Sequence, residues 1–213
     1  MNIKTCLAAA ALCVAATSPA FAVNFSLPNT GNGSQVGGTP DTHWTYQNSL
    51  GTGTPQVLDP ALANWYGAWL LNDSASSWIG VSATDTQSYP SPLVFTARFS
   101  LAPYVLSSVA ISGNWAVDDA GVLLVNGNFV SFLQSNNWDH LTPFTVPNSA
   151  LVAGNNTFTV VLTENDNFLE GVRLNASGTG ALLPVPEPDQ WALLLGGVAL
   201  LAGFARRRAS GIG

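Results

Sequence analysis

Trp115-Ala116-Val117-Asp118-Asp119-Ala120-Gly121-Val122-Leu123-Leu124-Val125-Asn126-Gly127 is the stretch on which the fold turns. Asn-Gly is a strong hairpin signal, because both residues tolerate the left-handed backbone that a tight turn between antiparallel strands needs. The short apolar run Val122–Val125 before it fits a strand with buried positions. Upstream, Asp118-Asp119 stands before Ala120-Gly121, and Asp side chains there bond local backbone in a turn. The stretch thus reads as strand, turn, strand, turn.

The same grammar continues on both sides. In Phe95-Thr96-Ala97-Arg98-Phe99-Ser100-Leu101 every odd position is apolar. Val105, Val109 and Ile111 fall on one face of an extended segment, and so do Phe158, Val160 and Leu162. Val172, Leu174 and Ala176 repeat the pattern near the end. Period-two alternation marks half-buried strands, and no stretch of 23–180 keeps an apolar helical period over three turns. Pro40-Asp41, Gly51-Thr52-Gly53, Pro90-Ser91-Pro92 and Gly154-Asn155 punctuate the runs. Many short strands so separated predict an all-β fold, an antiparallel sandwich or barrel.

Composition agrees once the ends are set aside. The chain has 213 residues, 47% hydrophobic and only 8% charged, but residues 1–22 and 191–205 hold the apolar excess. Lys4 followed by apolar Leu7–Ala16 and then Ala20-Phe21-Ala22 reads as a secretory signal peptide, cleaved by signal peptidase after Ala22. The chain's two cysteines, Cys6 and Cys13, lie inside it. The exported form would carry no disulfide, no catalytic thiol and no thiolate metal ligand.

The other end has three parts: Val185-Pro186-Glu187-Pro188, fifteen uncharged residues from Trp191 to Ala205, and Arg206-Arg207-Arg208. Fifteen helical residues cover about 22 Å, short of a hydrocarbon core of about 30 Å. Pro188 to Gln190 and snorkelling arginines would bring the segment close to spanning, arginines on the cytoplasmic side. Pro-Glu-Pro, a short glycine-containing hydrophobic helix and a terminal arginine cluster together resemble the PEP-CTERM sorting signal. The matching positions are Pro186, Glu187, Pro188, Arg206, Arg207 and Arg208. The resemblance implies recognition by an exosortase, a membrane protease-transpeptidase of Gram-negative bacteria that make exopolysaccharide. It further implies a transient stay in the inner membrane, removal of the tail, and delivery to the cell surface or extracellular matrix. The alternative for this tail is a plain single-pass anchor on a proline-rich stalk.

Between the ends, residues 23–185 hold two basic residues, Arg98 and Arg173, against ten acids, a net charge of −8 with no lysine. Such a surface repels nucleic acid and anionic lipid and accepts neutral sugars or divalent cations. The expected division is a signal peptide at 1–22, a loop or arm at 23–40, the β-sandwich at 41–180, a linker with Pro-Glu-Pro at 181–190, and the sorting helix with its arginines at 191–208.

A second resemblance covers about residues 93–176. The acidic turn at Asp118-Asp119, the strand ending in Asn126-Gly127, Gly154-Asn155-Asn156 leading into Thr157-Phe158, and Glu170-Gly171-Val172-Arg173-Leu174 together resemble the galactose-binding-like jelly roll of carbohydrate-binding modules. It implies a two-sheet antiparallel sandwich with loops gathered at its ends. Residues 24–92 match less clearly, which leaves their strand order open.

Little in the chain suggests catalysis. His43 and His140 sit in no metal-spaced motif, and there is no nucleophile elbow or phosphate-cradling loop. Asp139 and His140 are adjacent, and on a strand neighbours point to opposite faces. Asp118-Asp119 and Glu164/Asp166 are paired carboxylates of the type glycoside hydrolysis uses, but their separation is not readable. For Asp118 and Asp119 a turn is the first reading, and calcium, held by carboxylate and carbonyl oxygens, the second. The aromatic excess is more informative. Trp138 among Asn136, Asn137, Asp139 and His140 offers a flat ring with hydrogen-bonding neighbours, as a sugar ring requires. Trp65-Tyr66 is the second candidate, while Trp115 and Trp78 read as core. The function expected is a non-enzymatic surface or matrix protein associated with exopolysaccharide, with no certain cofactor. The alternatives are a structural or adhesive matrix protein without a sugar site, and a secreted hydrolase.

Overall fold

A computed structural model describes residues 21–59, 69–84, 90–134, 137–163, 170–184 and 188–210. Residues 21–183 form one compact unit of two antiparallel sheets. The first holds β1 (Ala22–Ser26), β4 (Gln56–Val57), β5 (Ile79–Gly80), β7 (Ala110–Asp118), β10 (Thr142–Val146) and β12 (Gly171–Ala181). Its order is β10-β7-β12-β5-β4, with β1 also on β12. The second holds β2 (Trp44–Asn48), β3 (Gly51–Gly53), β6 (Leu93–Ser100), β8 (Gly121–Val125), β9 (Asn128–Leu133) and β11 (Asn155–Leu162), in the order β3-β2-β6-β11-β8-β9.

The alternation decides what is buried. Phe95, Ala97, Leu123, Val125, Phe158 and Val160 of the second sheet face Ile111, Trp115, Val117, Val172 and Leu174 of the first, all essentially without solvent contact. Trp115 carries its polar atom into this core and donates from Nε1 to Ser131 Oγ at 3.1 Å. The Asn126-Gly127 hairpin joins β8 to β9 with φ of 51° and 79°, the pair of positive angles such a turn demands.

Two expectations need correction. Val105 to Ile111 is not one strand: Leu106–Ser108 form a 3-10 turn, and β7 starts at Ala110. More important, residues 23–40 are not a loose arm. β1 pairs with β12 from Ala22↔Ala181 to Ser26↔Ser177. Phe25 lies over Gly178, where any Cβ would stand 2.2 Å from the ring, and stacks on Tyr104 with centroids 4.6 Å apart. The chain then runs on along the same edge. Asn29 Oδ1 accepts from Ala176 N at 2.8 Å, and buried Thr30 Oγ1 accepts from Leu174 N at 2.9 Å. Buried Asp41 closes the segment, accepting from Gly31 N at 2.7 Å and His43 N at 3.1 Å. Burial pushes the Asp41 carboxyl above its ordinary value, against the pull of those two amides. The free edge of a central strand explains the strap: its N–H and C=O groups require partners, and these residues supply them.

The helix α1 covers Pro188–Ser210 in a separate unit. Among the described residues no helix is long and apolar enough to cross a membrane, so the transmembrane reading of the tail is not supported. The reason is visible in the chain, where Asp189 and Gln190 precede only fifteen uncharged residues before Arg206-Arg207-Arg208.

Candidate functional site

The outer face of the first sheet is divided in two. Over one half lies a lobe from the segment between β4 and β5. Leu58, Trp69 and Trp78 pack on Ala116 of β7 as a small second core, with Trp69 and Trp78 centroids 4.2 Å apart. Asn72 Oδ1 accepts from Trp78 N at 2.7 Å, and Leu70 O accepts from Trp78 Nε1 at 2.8 Å.

Arg173 of β12 fastens this lobe. Its guanidinium is wholly buried, donates from Nε to Ser76 Oγ at 2.9 Å and also to Leu71 O, and pairs with Asp73 Oδ2 at 2.7 Å. Asp73 is half in water, and its Oδ1 accepts from the amides of Ala75 and Ser76. What burial it has pushes its carboxyl up, but the two amides and Arg173 outweigh that and hold it below its ordinary value. Burial pulls Arg173 down more than Asp73 raises it.

Beside the lobe the sheet is open and forms a groove of about 490 Å³. β7 and β12 supply Ser112, Asn114, Asn175 and Ser177 to its floor, Thr145 of β10 closes one side, and Asn29 and Ala75 stand at the other. Among the described residues, none of those lining it is acidic or basic. Asn175 Oδ1 accepts from Asn114 N at 3.2 Å and Asn114 Nδ2 at 3.3 Å, which leaves Asn114 Oδ1 and Asn175 Nδ2 for a ligand. Gly113 lies beneath the floor, on the core side of β7 with Ile111 and Trp115, where a Cβ would stand 2.1 Å from Asn175 O and 2.8 Å from Phe144 Cζ. A volume of this size suits a small-molecule or oligosaccharide site.

The sequence-predicted cluster lies elsewhere. Trp138 is half-buried and packs with Leu141 against the lobe core, while its carbonyl accepts from Leu70 N at 2.8 Å. It braces the lobe and does not stand as a free platform. Asn137 Nδ2 donates to Gln134 O. Asp139 and His140 sit in a bend, not a strand, and their exposed side chains pair at 2.5 Å. Bend geometry lets neighbours converge where a strand would part them. None of residues 137–140 lines the groove. Asn136, Trp65 and Tyr66, like Pro186 and Glu187 of the sorting motif, lie outside the described residues.

Asp118 is buried at the end of β7 and Asp119 half-buried in the turn to β8. Among the described residues no group of three His, Cys, Asp or Glu side chains could hold a metal ion. The groove residues were missed because each is an ordinary outward polar position. The one signal was that Ser112, Asn114, Asn175 and Ser177 are polar yet uncharged on adjacent strands.

No family model matches the chain, and no curated protein matches it. Among solved structures it is similar to a family 35 carbohydrate binding module from an environmental isolate, at 15% identity and TM-score 0.29, over 55% of this chain and 90% of that one. It is also similar to a Podospora anserina GH26-CBM35 β-(1,4)-mannanase, at 16% identity and TM-score 0.27, over 78% of this chain and 28% of that one. Likeness at this level carries no argument about ligand or activity.

Proposed function

We propose that this is an exported, non-catalytic surface or matrix protein that binds neutral polysaccharide in the groove of the first sheet. The observation that carries the reading is the groove itself, whose described lining offers amides and hydroxyls beside Pro143 and Phe144 and holds no charged side chain. Sugar hydroxyls both donate and accept, and so do amides, whereas a hydrolase would need a carboxylate pair facing the ligand. The net charge of −8 over residues 23–185 turns away nucleic acid and anionic lipid and leaves neutral ligands. On this reading residues 186–208 are an exosortase sorting tail that takes the domain to the outer surface, where exopolysaccharide is the polymer at hand.

The test is calorimetric titration of the full chain with a panel of soluble neutral oligosaccharides. Ser112→Trp, which fills the groove from an exposed position, should abolish binding. Asn114→Ala should weaken it by about tenfold, the worth of one or two hydrogen bonds. Trp138→Ala should leave it unchanged. Binding that survives Ser112→Trp, or that is lost only in Trp138→Ala, overturns the groove assignment. No binding to any neutral sugar overturns the function.

A further inference from the structure

The outer face of the second sheet is built on another principle. Strand register carries two rows of side chains straight across it. Thr96, Thr159, Leu124 and Phe129 stand side by side in one. Val94, Val161, Val122 and Phe132 make the next. Phe129 and Phe132 are three residues apart, and in a regular strand such residues point to opposite faces. Here the β8–β9 register shifts between Leu123 and Leu124. Val130 becomes the extra residue and packs toward the core. The bulge thereby aims both phenyl rings outward, where they are 63% and 48% exposed. The sheet's six strands contain no carboxylate and one cation, Arg98, within a domain of net charge −8.

Size and charge together select the occupant. Four strands about 4.8 Å apart and two rows about 7 Å apart, with the rings at one end, give a flat patch on the order of 300 Å². A stable pair of copies needs about 800 Å² from each. Two copies meeting here would also bring two acidic domains together. A flat, neutral, repeating surface has neither difficulty. Pyranose rings present apolar C–H faces that lie on phenyl rings and valine methyls, and their rim hydroxyls reach threonine hydroxyls. Each contact is weak, but a polymer surface offers many at once.

We propose that this face docks on the flat surface of an insoluble neutral polysaccharide, as a contact separate from the groove. The two share only the class of ligand. With one site on the outer face of each sheet, a single domain joins a chain in the groove to a polymer surface behind it.

The full chain is mixed with microcrystalline cellulose and with chitin particles, and depletion from the supernatant is measured. The wild type should be retained on at least one solid. Phe129→Ala/Phe132→Ala should weaken retention by about tenfold or more, on the scale of losing two aromatic anchors. Its titration with soluble oligosaccharides and its thermal unfolding should stay unchanged. Thr159→Glu puts a charge in the middle of a row with both rings intact and should give the same loss. Ser112→Trp should leave retention unaltered, which separates failure of this face from failure of the groove. No retention of the wild type on either solid overturns the proposal, as does equal retention of the double variant. A wild-type dimer in sedimentation equilibrium that the double variant abolishes would assign the face to a second copy instead. Binding to phosphatidylcholine vesicles and to neither solid would assign it to lipid.

Discussion

Arg173 and Asp73 should not be energetically equal partners. Arg173→Met keeps the apolar stem in place and removes three contacts: hydrogen bonds to Ser76 Oγ and Leu71 O, and the ion pair with Asp73. At about 1 kcal/mol each the loss is about 3 kcal/mol. The larger penalty for stranding a buried charge does not apply, because the partner left behind, Asp73, is 55% exposed and water receives it. Asp73→Asn keeps the Oδ1 acceptor for the Ala75 and Ser76 amides but sets an NH2 donor where Oδ2 faces the guanidinium, so Arg173 loses both the charge and the acceptor. Discounted for solvent, it should cost about 1–2 kcal/mol. The double variant should cost no more than Arg173→Met alone, since Asp73 without Arg173 has no pair to lose. Urea unfolding reads these values directly: Arg173→Met should lower the midpoint by about 1.5 M, for a slope of about 2 kcal/mol per M. Near-ultraviolet circular dichroism follows the Trp69–Trp78 pair and hence the lobe. The pH dependence has a fixed sign. The Asp73 carboxyl is held below its ordinary value of 3.8, so its contribution is fully present above that value and disappears as pH falls through the folded value. The gap between wild type and Asp73→Asn should be flat at neutral pH and close in strong acid. An unchanged midpoint in Arg173→Met, or single costs that simply add in the double variant, would refute the account of the lobe as fastened by this pair.

Two further outcomes test other fastenings. Asn156 is buried and holds four bonds, from Val152 N and Asn126 Nδ2 and to Val152 O and Gly154 O, so Asn156→Ala should lower stability by about 3 kcal/mol in thermal unfolding. Gly178→Val drives a side chain into the Phe25 ring, and hydrogen exchange should rise across Ala22–Ser26 while β6 and β11 keep their protection.

The strands were legible where one face is buried and the signal is local. Phe95 to Leu101, Phe158 to Leu162 and the Asn126-Gly127 hairpin each declare themselves within a few residues, because alternation and turn chemistry are short-range. The strap was not legible because its reason lies about 150 residues away. Phe25 can lie flat only where Gly178 has no side chain, and Asn29 and Thr30 act on the far edge of β12. Trp138 misled for a related reason. Polar neighbours mark a loop, but not whether the ring between them faces water or a tryptophan cluster. The second core under that loop joins residues of the β4–β5 segment, of β7 and of the Trp138 loop, and no periodicity connects them. The bulge at Val130 has no local signal: strand periodicity alone would put Phe129 and Phe132 on opposite faces, and the register shift turns both outward.

Beyond residues 1–22 the chain contains no cysteine, so nothing covalent holds its long connections to the sheets. Single buried polar residues do so in its place. Arg173 ties down the lobe, Thr30 and Asp41 the strap, and Asn156 the turn from Leu151 to Gly154. Each is worth only a few kcal/mol, but each acts at a point where the backbone has left regular pairing and its polar groups would otherwise be buried unmet. Two of these fastenings, those of the lobe and the strap, end at the groove. Ala75 follows Asp73 by two residues, and Asn29 precedes Thr30 by one. The walls are therefore set before any ligand arrives, and a ligand need not supply the cost of ordering them. Arg173→Met should therefore weaken the proposed sugar binding in calorimetric titration as well as stability, although Arg173 is not among the groove's described lining residues.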